Sequence, residues 1–149
     1  DKKKTIYVED LEAILAESES TDEDRYLLQD LAVVSGTFAT PNATVQLTVD
    51  GEVKKTSCMG DGPVDAVYKA IAKLTGSKSE LVQFHVKAIT GGMDAQGSVT
   101  VTLEDGGRRV IGHGAHTDII VASGKAYIHA LNRLDWHKRR RGPADLRGI

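Results

Sequence analysis

The chain has 149 residues and a mass of 16.0 kDa, enough for one ordinary domain with length to spare. Its 19 Lys and Arg stand against 21 Asp and Glu, a net charge of −2, which excludes a nucleic-acid or membrane-surface binder driven by bulk charge. Cys58 is the single cysteine, so neither an intrachain disulfide nor a cysteine-cluster zinc site can form. No apolar run approaches the roughly 20 residues needed to span a bilayer, and Asp1-Lys2-Lys3-Lys4 is not followed by a signal-peptide core. The expected compartment is the cytoplasm. A start at Asp rather than Met leads us to expect a piece of a longer protein.

Val8, Leu11, Ile14 and Leu15 recur at helical spacing, and Glu17 to Asp24 is acidic and polar. Residues 1–25 therefore read as a short helical linker. Tyr26 to Phe38 reads as a long strand ending near Gly36. Val45, Leu47 and Val49 alternate with polar residues, Asp50-Gly51 is a hairpin turn signal, and Glu52 to Cys58 returns as the partner strand. After Met59-Gly60-Asp61-Gly62-Pro63, Val64, Val67, Tyr68, Ile71 and Leu74 mark one apolar face of a helix that Gly76 stops.

The order then repeats. Leu81 to Thr90 reads as a strand with Val82, Phe84, Val86 and Ala88 on one side. Val99, Val101 and Leu103 alternate, Asp105-Gly106-Gly107 turns, and Arg108 to Gly114 returns. Ile119 to Leu134 is the second helix, with Ile120, Tyr127, Leu131 and Leu134 on one stripe, and the tail over 137–149 is basic, aperiodic and expected to be mobile. Val45 and Val99 are 54 residues apart, and so are Gly60 and Gly114. A β-β-β-α unit that occurs twice accounts for both offsets. The expected fold is α+β and pseudo-twofold: two units side by side in a larger sheet covered by both helices, over residues 26–136. Such a layer, with an apolar side left open, also calls for a second copy.

A search for catalytic groups finds little. His85, His113, His116, His129 and His137 form no helical ligand pair, Cys58 has no partnering base, and neither a nucleophile elbow nor a P-loop is present. No catalytic residue and no metal ligand is assigned. The turn at Gly60 to Pro63 is the best binding candidate, because it ends a strand and opens a helix whose first amides favour an anion such as a carboxylate. Gly114 to Asp118 is the corresponding turn, where Thr117 or Asp118 can cap, and Asp65 and Asp118 suit an ammonium. Plain turn and capping chemistry is the competing reading. The loop Thr90 to Gly97 is longer and richer in glycine than a hairpin needs, as ligand-contacting loops are. The basic run Lys138 to Arg141 lacks interleaved aromatics and reads as a solvated tail rather than an RNA site.

Three motifs, taken in order, resemble one family. Gly60-Asp61-Gly62-Pro63-Val64-Asp65-Ala66, Met93-Asp94-Ala95-Gln96-Gly97, and Gly112-His113-Gly114 through Thr117-Asp118-Ile119 look like the C-terminal allosteric, LeuA-type dimerisation and regulatory domain of the 2-isopropylmalate synthases. The citramalate synthase regulatory domain is a near relative, and the likeness runs from about Tyr26 to Leu134. The resemblance implies a duplicated β-β-β-α fold and a homodimer that binds an end-product amino acid at its interface. It also implies that the residues before Tyr26 join this domain to a catalytic barrel.

Carried over by position, the resemblance places the effector pocket at Gly60, Gly62, Pro63, Val64 and Asp65, then Leu81, Phe84 and Ala88, then Ala95, then Thr117, Asp118 and Ile119. Thr117-Asp118-Ile119 is closer to the leucine-sensing version than to the isoleucine-sensing one, so leucine is the expected effector and isoleucine the alternative. A scaffold that dimerises without sensing is the other alternative. The parent enzyme would be the acyltransferase that condenses acetyl-CoA with 2-ketoisovalerate in leucine biosynthesis, under feedback inhibition. Its catalytic residues and divalent metal belong to the barrel, so this stretch is expected to need no cofactor and to be inactive alone. The implied partners are a second copy, the effector and the barrel, with no nucleic acid and no membrane.

Overall fold

In a computed structural model of the chain, the described residues are 24–89 and 96–140. The predicted linker helix, the acidic stretch up to Glu23, most of the glycine-rich loop and the end of the tail lie outside them. The elements are β1 (Tyr26–Val34), β2 (Asn42–Val49), β3 (Glu52–Met59), α1 (Pro63–Thr75), β4 (Glu80–Ile89), β5 (Gln96–Asp105), β6 (Arg108–His116) and α2 (Ile119–Arg140).

The duplicated unit is present, with each antiparallel meander followed by a helix. Both hairpins turn where the Asp-Gly signals stand, with Asp50 and Gly51 at φ 53° and 82°. Gly76 ends α1 in the left-handed region at φ 68°, its amide bonded back to the Ala72 carbonyl. β1 stops at Val34, short of the predicted Phe38, which is fully exposed and has nothing to pack on.

The six strands do not join into one larger sheet. They form two three-stranded sheets, β1-β2-β3 and β4-β5-β6. The physical reason lies on α2, whose side chains occupy the outward edges that would have to pair. Asn132 takes both backbone groups of Tyr26 on β1. On β6, the His113 amide donates to His129 Nδ1 at 2.9 Å, and Arg133 donates to the Ile111 carbonyl at 2.7 Å. The backbone groups of Tyr26, Ile111 and His113 that α2 takes are closed to another strand.

The core is built from the alternating rows that the sequence marks. Val45 and Leu47 on β2, and Val99, Val101 and Leu103 on β5, are fully buried beneath α1 and α2. α2 sits unusually close to β6 because small residues face each other. Ala122, Ala126 and Ala130 recur every fourth residue, opposite Gly112 and Gly114. A side chain at either glycine would run into helix backbone. Between the helices, Tyr68 stacks on Tyr127 with ring centroids 4.4 Å apart.

α2 does not stop at Leu134, where the sequence reading ends the helix. It continues to Arg140, and the basic residues are held: Lys138 pairs with Asp105, Arg139 with Asp135, and His137 bonds Arg108. Among the described residues no helix is long and apolar enough to cross a membrane, and no three potential ligand side chains gather to hold a metal.

Candidate functional site

The predicted site residues fall at three places. The first is the start of α1. Gly60 follows β3, its amide donates to the Pro41 carbonyl, and a side chain there would strike the Ala66 backbone. Gly62 is the N-cap and supplies no side-chain bond, so the helix opens without a side-chain lid over its first amides. Its φ of −157° is ordinary extended backbone, and a Cβ there would meet nothing within 4 Å. Pro63 takes the first helical position and Val64 packs against the core.

Asp65 is more committed than the sequence suggests. Its Oδ2 accepts the Asp61 amide at 2.8 Å and pairs with Lys69 at 3.0 Å. Those bonds hold its carboxyl below the usual range, the backbone bond from Asp61 contributing most. The carboxylate therefore organises the turn, which is the capping role that competes with ammonium binding.

The second place is the start of α2. Asp118 Oδ1 accepts the Ile120 amide at 2.8 Å, while its own amide donates to His116 Nδ1 at 2.9 Å. Asp118 and Thr117 are exposed, and the Ile119 side chain fills the space over Gly97. The two helix starts thus differ: α2 is capped by a carboxylate, and α1 is open.

The third place is β4. A bulge at Val82 shifts the register, so Leu81 rather than Val82 pairs with Leu103, while Phe84 pairs with Val101 and Val86 with Val99. Cross-strand partners share a face. Leu81, Phe84 and Val86 therefore extend the face that buries Val99, Val101 and Leu103 at 0% exposure, yet they are themselves 43%, 39% and 43% exposed. In the first unit the partners of the equivalent Val49, Leu47 and Val45 are Tyr26, Leu28 and Leu31, which are buried in or packed against the core, with α2 reaching across to β1. Neither helix covers β4 in that way; its main contacts are with β5. Phe84 is met from above by the edge of Tyr68, with ring centroids 6.2 Å apart.

The helices bring the first two places together. Val67 lies beside Gly124, Tyr68 beside Tyr127, and Thr75 to Lys78 share a cleft with Leu131 to Lys138. That succession makes α1 and α2 run the same way, with both amino ends at one end of the helix pair. Ala88 pairs with Gly97 at the same end of β4, whereas Leu81 lies at the far end, about 20 Å along the strand. The side chain of Ala88 and all of Ala95 lie outside what is described. The two cavities that stand out, of about 360 and 300 Å³, are lined by other residues, chiefly on β1, β6 and the carboxyl half of α2.

Sequence reasoning did not single out Tyr68 as polar, nor Asn132 or His129. Tyr68 is buried, and burial raises its pKa against the opposing influence of the Ser123 hydroxyl. His129 is lowered to about 4, first by burial and then by Arg133 and His113. Its ring is therefore neutral, with Nδ1 accepting from β6. None of these carries a motif. Each gains its role from a neighbour distant in sequence.

Comparison with known proteins decides the family. The model of the LeuA allosteric (dimerisation) domain matches residues 5–135. The chain belongs to this family. Its relatives include the 2-isopropylmalate synthase of Syntrophus aciditrophicus (strain SB), 53% identical over 142 residues. That match covers 95% of this chain and 28% of the relative. The 2-isopropylmalate synthase of Thiobacillus denitrificans is 46% identical over 144 residues, 96% of this chain and again 28% of the relative. That of Nitrosomonas europaea is 49% identical over 134 residues, 90% of this chain and 26% of the relative. The chain spans between a quarter and a third of the length of these enzymes.

Proposed function

We propose that this chain is the effector-sensing part of a 2-isopropylmalate synthase, and that it binds leucine between two copies of itself. The observation that carries the reading is the uncovered face of β4. Leu81, Phe84 and Val86 continue a buried apolar row into the open, in a family described by its dimerisation. A second copy laid on that face would complete the layer and enclose the two helix starts. Burying three such side chains contributes on the order of several kcal/mol per copy, before the cost of association.

The chemistry of the enclosed space suits an α-amino acid. The open start of α1 presents backbone N–H groups and the positive end of its dipole to a carboxylate. Asp118, exposed at the start of α2, faces the same end and suits the ammonium. Val64, Phe84 and Ile119 give a branched aliphatic side chain apolar surroundings, with Ala88 and Ala95 proposed to join them from their sequence positions. One methyl displaced in such a pocket changes affinity by about 1–3 kcal/mol, enough to rank leucine against isoleucine.

Acyl transfer from acetyl-CoA to 2-ketoisovalerate, and the divalent metal it needs, are assigned to a separate catalytic barrel. Within this chain the residues bind and position the effector. Feedback then requires the effector to prefer one state of the whole enzyme over another. Calorimetric titration with leucine and isoleucine, with the solution mass recorded, tests the reading. Saturable leucine binding to a dimer, with isoleucine weaker, is the expected result. Tighter isoleucine binding would move the parent to a citramalate synthase, and a well-folded dimer that binds neither would be a scaffold.

A further inference from the structure

The two repeats are not equal at their helices. α1 ends at Thr75 after 13 residues, whereas α2 runs for 22. The 54-residue offset sets Asn132 opposite Lys78, which lies beyond the end of α1, so the second half of α2 has no counterpart in the first unit. This extra length reaches back to the residue where the chain enters the first sheet. Asn132 is 8% exposed; the Tyr26 amide donates to its Oδ1 at 2.9 Å, and its Nδ2 donates to the Tyr26 carbonyl at 2.8 Å. Next to it, Arg25 bonds Asp135 through Nη1 at 3.2 Å and Asp50 through Nε at 3.0 Å. Its guanidinium lies 5.3 Å from the centre of the Tyr26 ring.

The amino end of the same helix is the part capped by Asp118, with Ile119 over Gly97. Asn132 lies fourteen positions beyond Asp118 along the helix, a span of about 21 Å. The span contains no proline, and its Gly124 is packed between Leu28, Leu31 and Val67 rather than free to bend. Displacement of one end is therefore carried to the other. We propose that α2 couples the effector site at its amino end to the chain entering at Tyr26, with Asn132 as the positioning residue that grips that entry point. The inference rests on the effector reading above. An occupied site that holds α2 in one position would tighten the Asn132 grip on Tyr26, and by reciprocity a weakened grip must weaken effector binding by the same factor.

Hydrogen exchange by mass spectrometry on the 149-residue chain, with and without leucine, tests this alongside calorimetry. Leucine is expected to slow exchange in the peptide covering Tyr26 to Leu31 by about threefold or more. In Asn132→Asp, which keeps the acceptor and loses the donor, the slowing should disappear and leucine affinity should drop by a similar factor. Arg25→Gln, at an exposed position that leaves the fold alone, should lose part of the effect. A purely structural role for Asn132 would instead lower the melting temperature and leave the leucine-induced slowing intact, which overturns the proposal. Leucine binding with no change at Tyr26 in the wild type overturns the coupling alone. Absence of leucine binding overturns the effector reading and the coupling with it.

Discussion

The closeness of α2 to β6 makes Gly114→Ala the sharpest test of the packing. A Cβ on Gly114 would lie 2.6 Å from the Ala126 nitrogen, 2.9 Å from Lys125 Cβ, and closer still to the Ala122 carbonyl. Real Cβ atoms do not approach backbone below 3 Å, and two of the obstacles are helix backbone that no rotamer change can move. The strand and the helix must separate by several tenths of an ångström to about 1 Å, which loosens the Ala122, Ala126 and Ala130 stripe along its length. Overpacking of this kind costs about 1–3 kcal/mol, and the rigid obstacles put this case at about 3 kcal/mol. For a domain of this size that is a fall in Tm of roughly 8–12 °C. Gly97→Ala is the informative comparison, since its obstacle is the flexible end of the Ile119 side chain, and a smaller loss is expected. Gly36→Ala, where the nearest atom is 3.8 Å away, should change stability by about 0.5 kcal/mol or less. Thermal unfolding followed by circular dichroism measures all three. If Gly114→Ala melts with the Gly36→Ala control, β6 and α2 are not in backbone contact and the account of the glycines is wrong.

Replacing Phe84 and Val86 together by serine removes the apolar face of β4 from positions that are already half exposed. The proposed dimer should fall to a monomer in sedimentation velocity, with helix and strand content unchanged, and a persisting dimer would place the interface elsewhere. Gly62→Leu puts a side chain into open space at the unlidded start of α1. The melting temperature should stay within about 2 °C, while leucine affinity falls by roughly tenfold or more; unchanged affinity would remove this helix start from the site. His129 supplies a pH test. Its folded pKa of about 4 lies below the ordinary 6.5, so the unfolded chain takes up the proton first. The stability it contributes is complete above about pH 6.5 and is lost as pH falls toward 4. Unscreened, the shift is worth about 3 kcal/mol, and partial solvent access reduces the expected loss to about 2 kcal/mol or less. Urea titrations of wild type and His129→Gln across that range should show a steeper pH dependence in the wild type.

Much of this was legible along the chain because it rests on local chemistry. Alternation at Val45, Leu47 and Val49 marks a half-buried strand wherever it is met, Asp50-Gly51 suits a left-handed turn, and Gly76 suits a left-handed helix end. Gly60 and Gly114 at the two turns could be found as a pair because they stand at the 54-residue spacing of the repeat. What Asp65 does was less legible. A carboxylate at a helix start can meet a ligand or its own turn, and the bonds to Asp61 and Lys69 show it serving the turn. The bulge at Val82, which changes which residues of β4 face the core side, has no signature in an unbroken apolar strand.

The sequence by itself determined the repeat, the element order and the stripes that form the core, since each depends on residues within one turn or one hairpin. Only the tertiary structure decided that the strands close as two sheets rather than one, and that β4 rather than β1 is left uncovered. The reason is that both outcomes depend on pairs far apart in the chain. Asn132 reaches Tyr26 across 106 residues and α2 covers β1, while α1 ends at Thr75 and, among the described residues, no element performs the same service for β4.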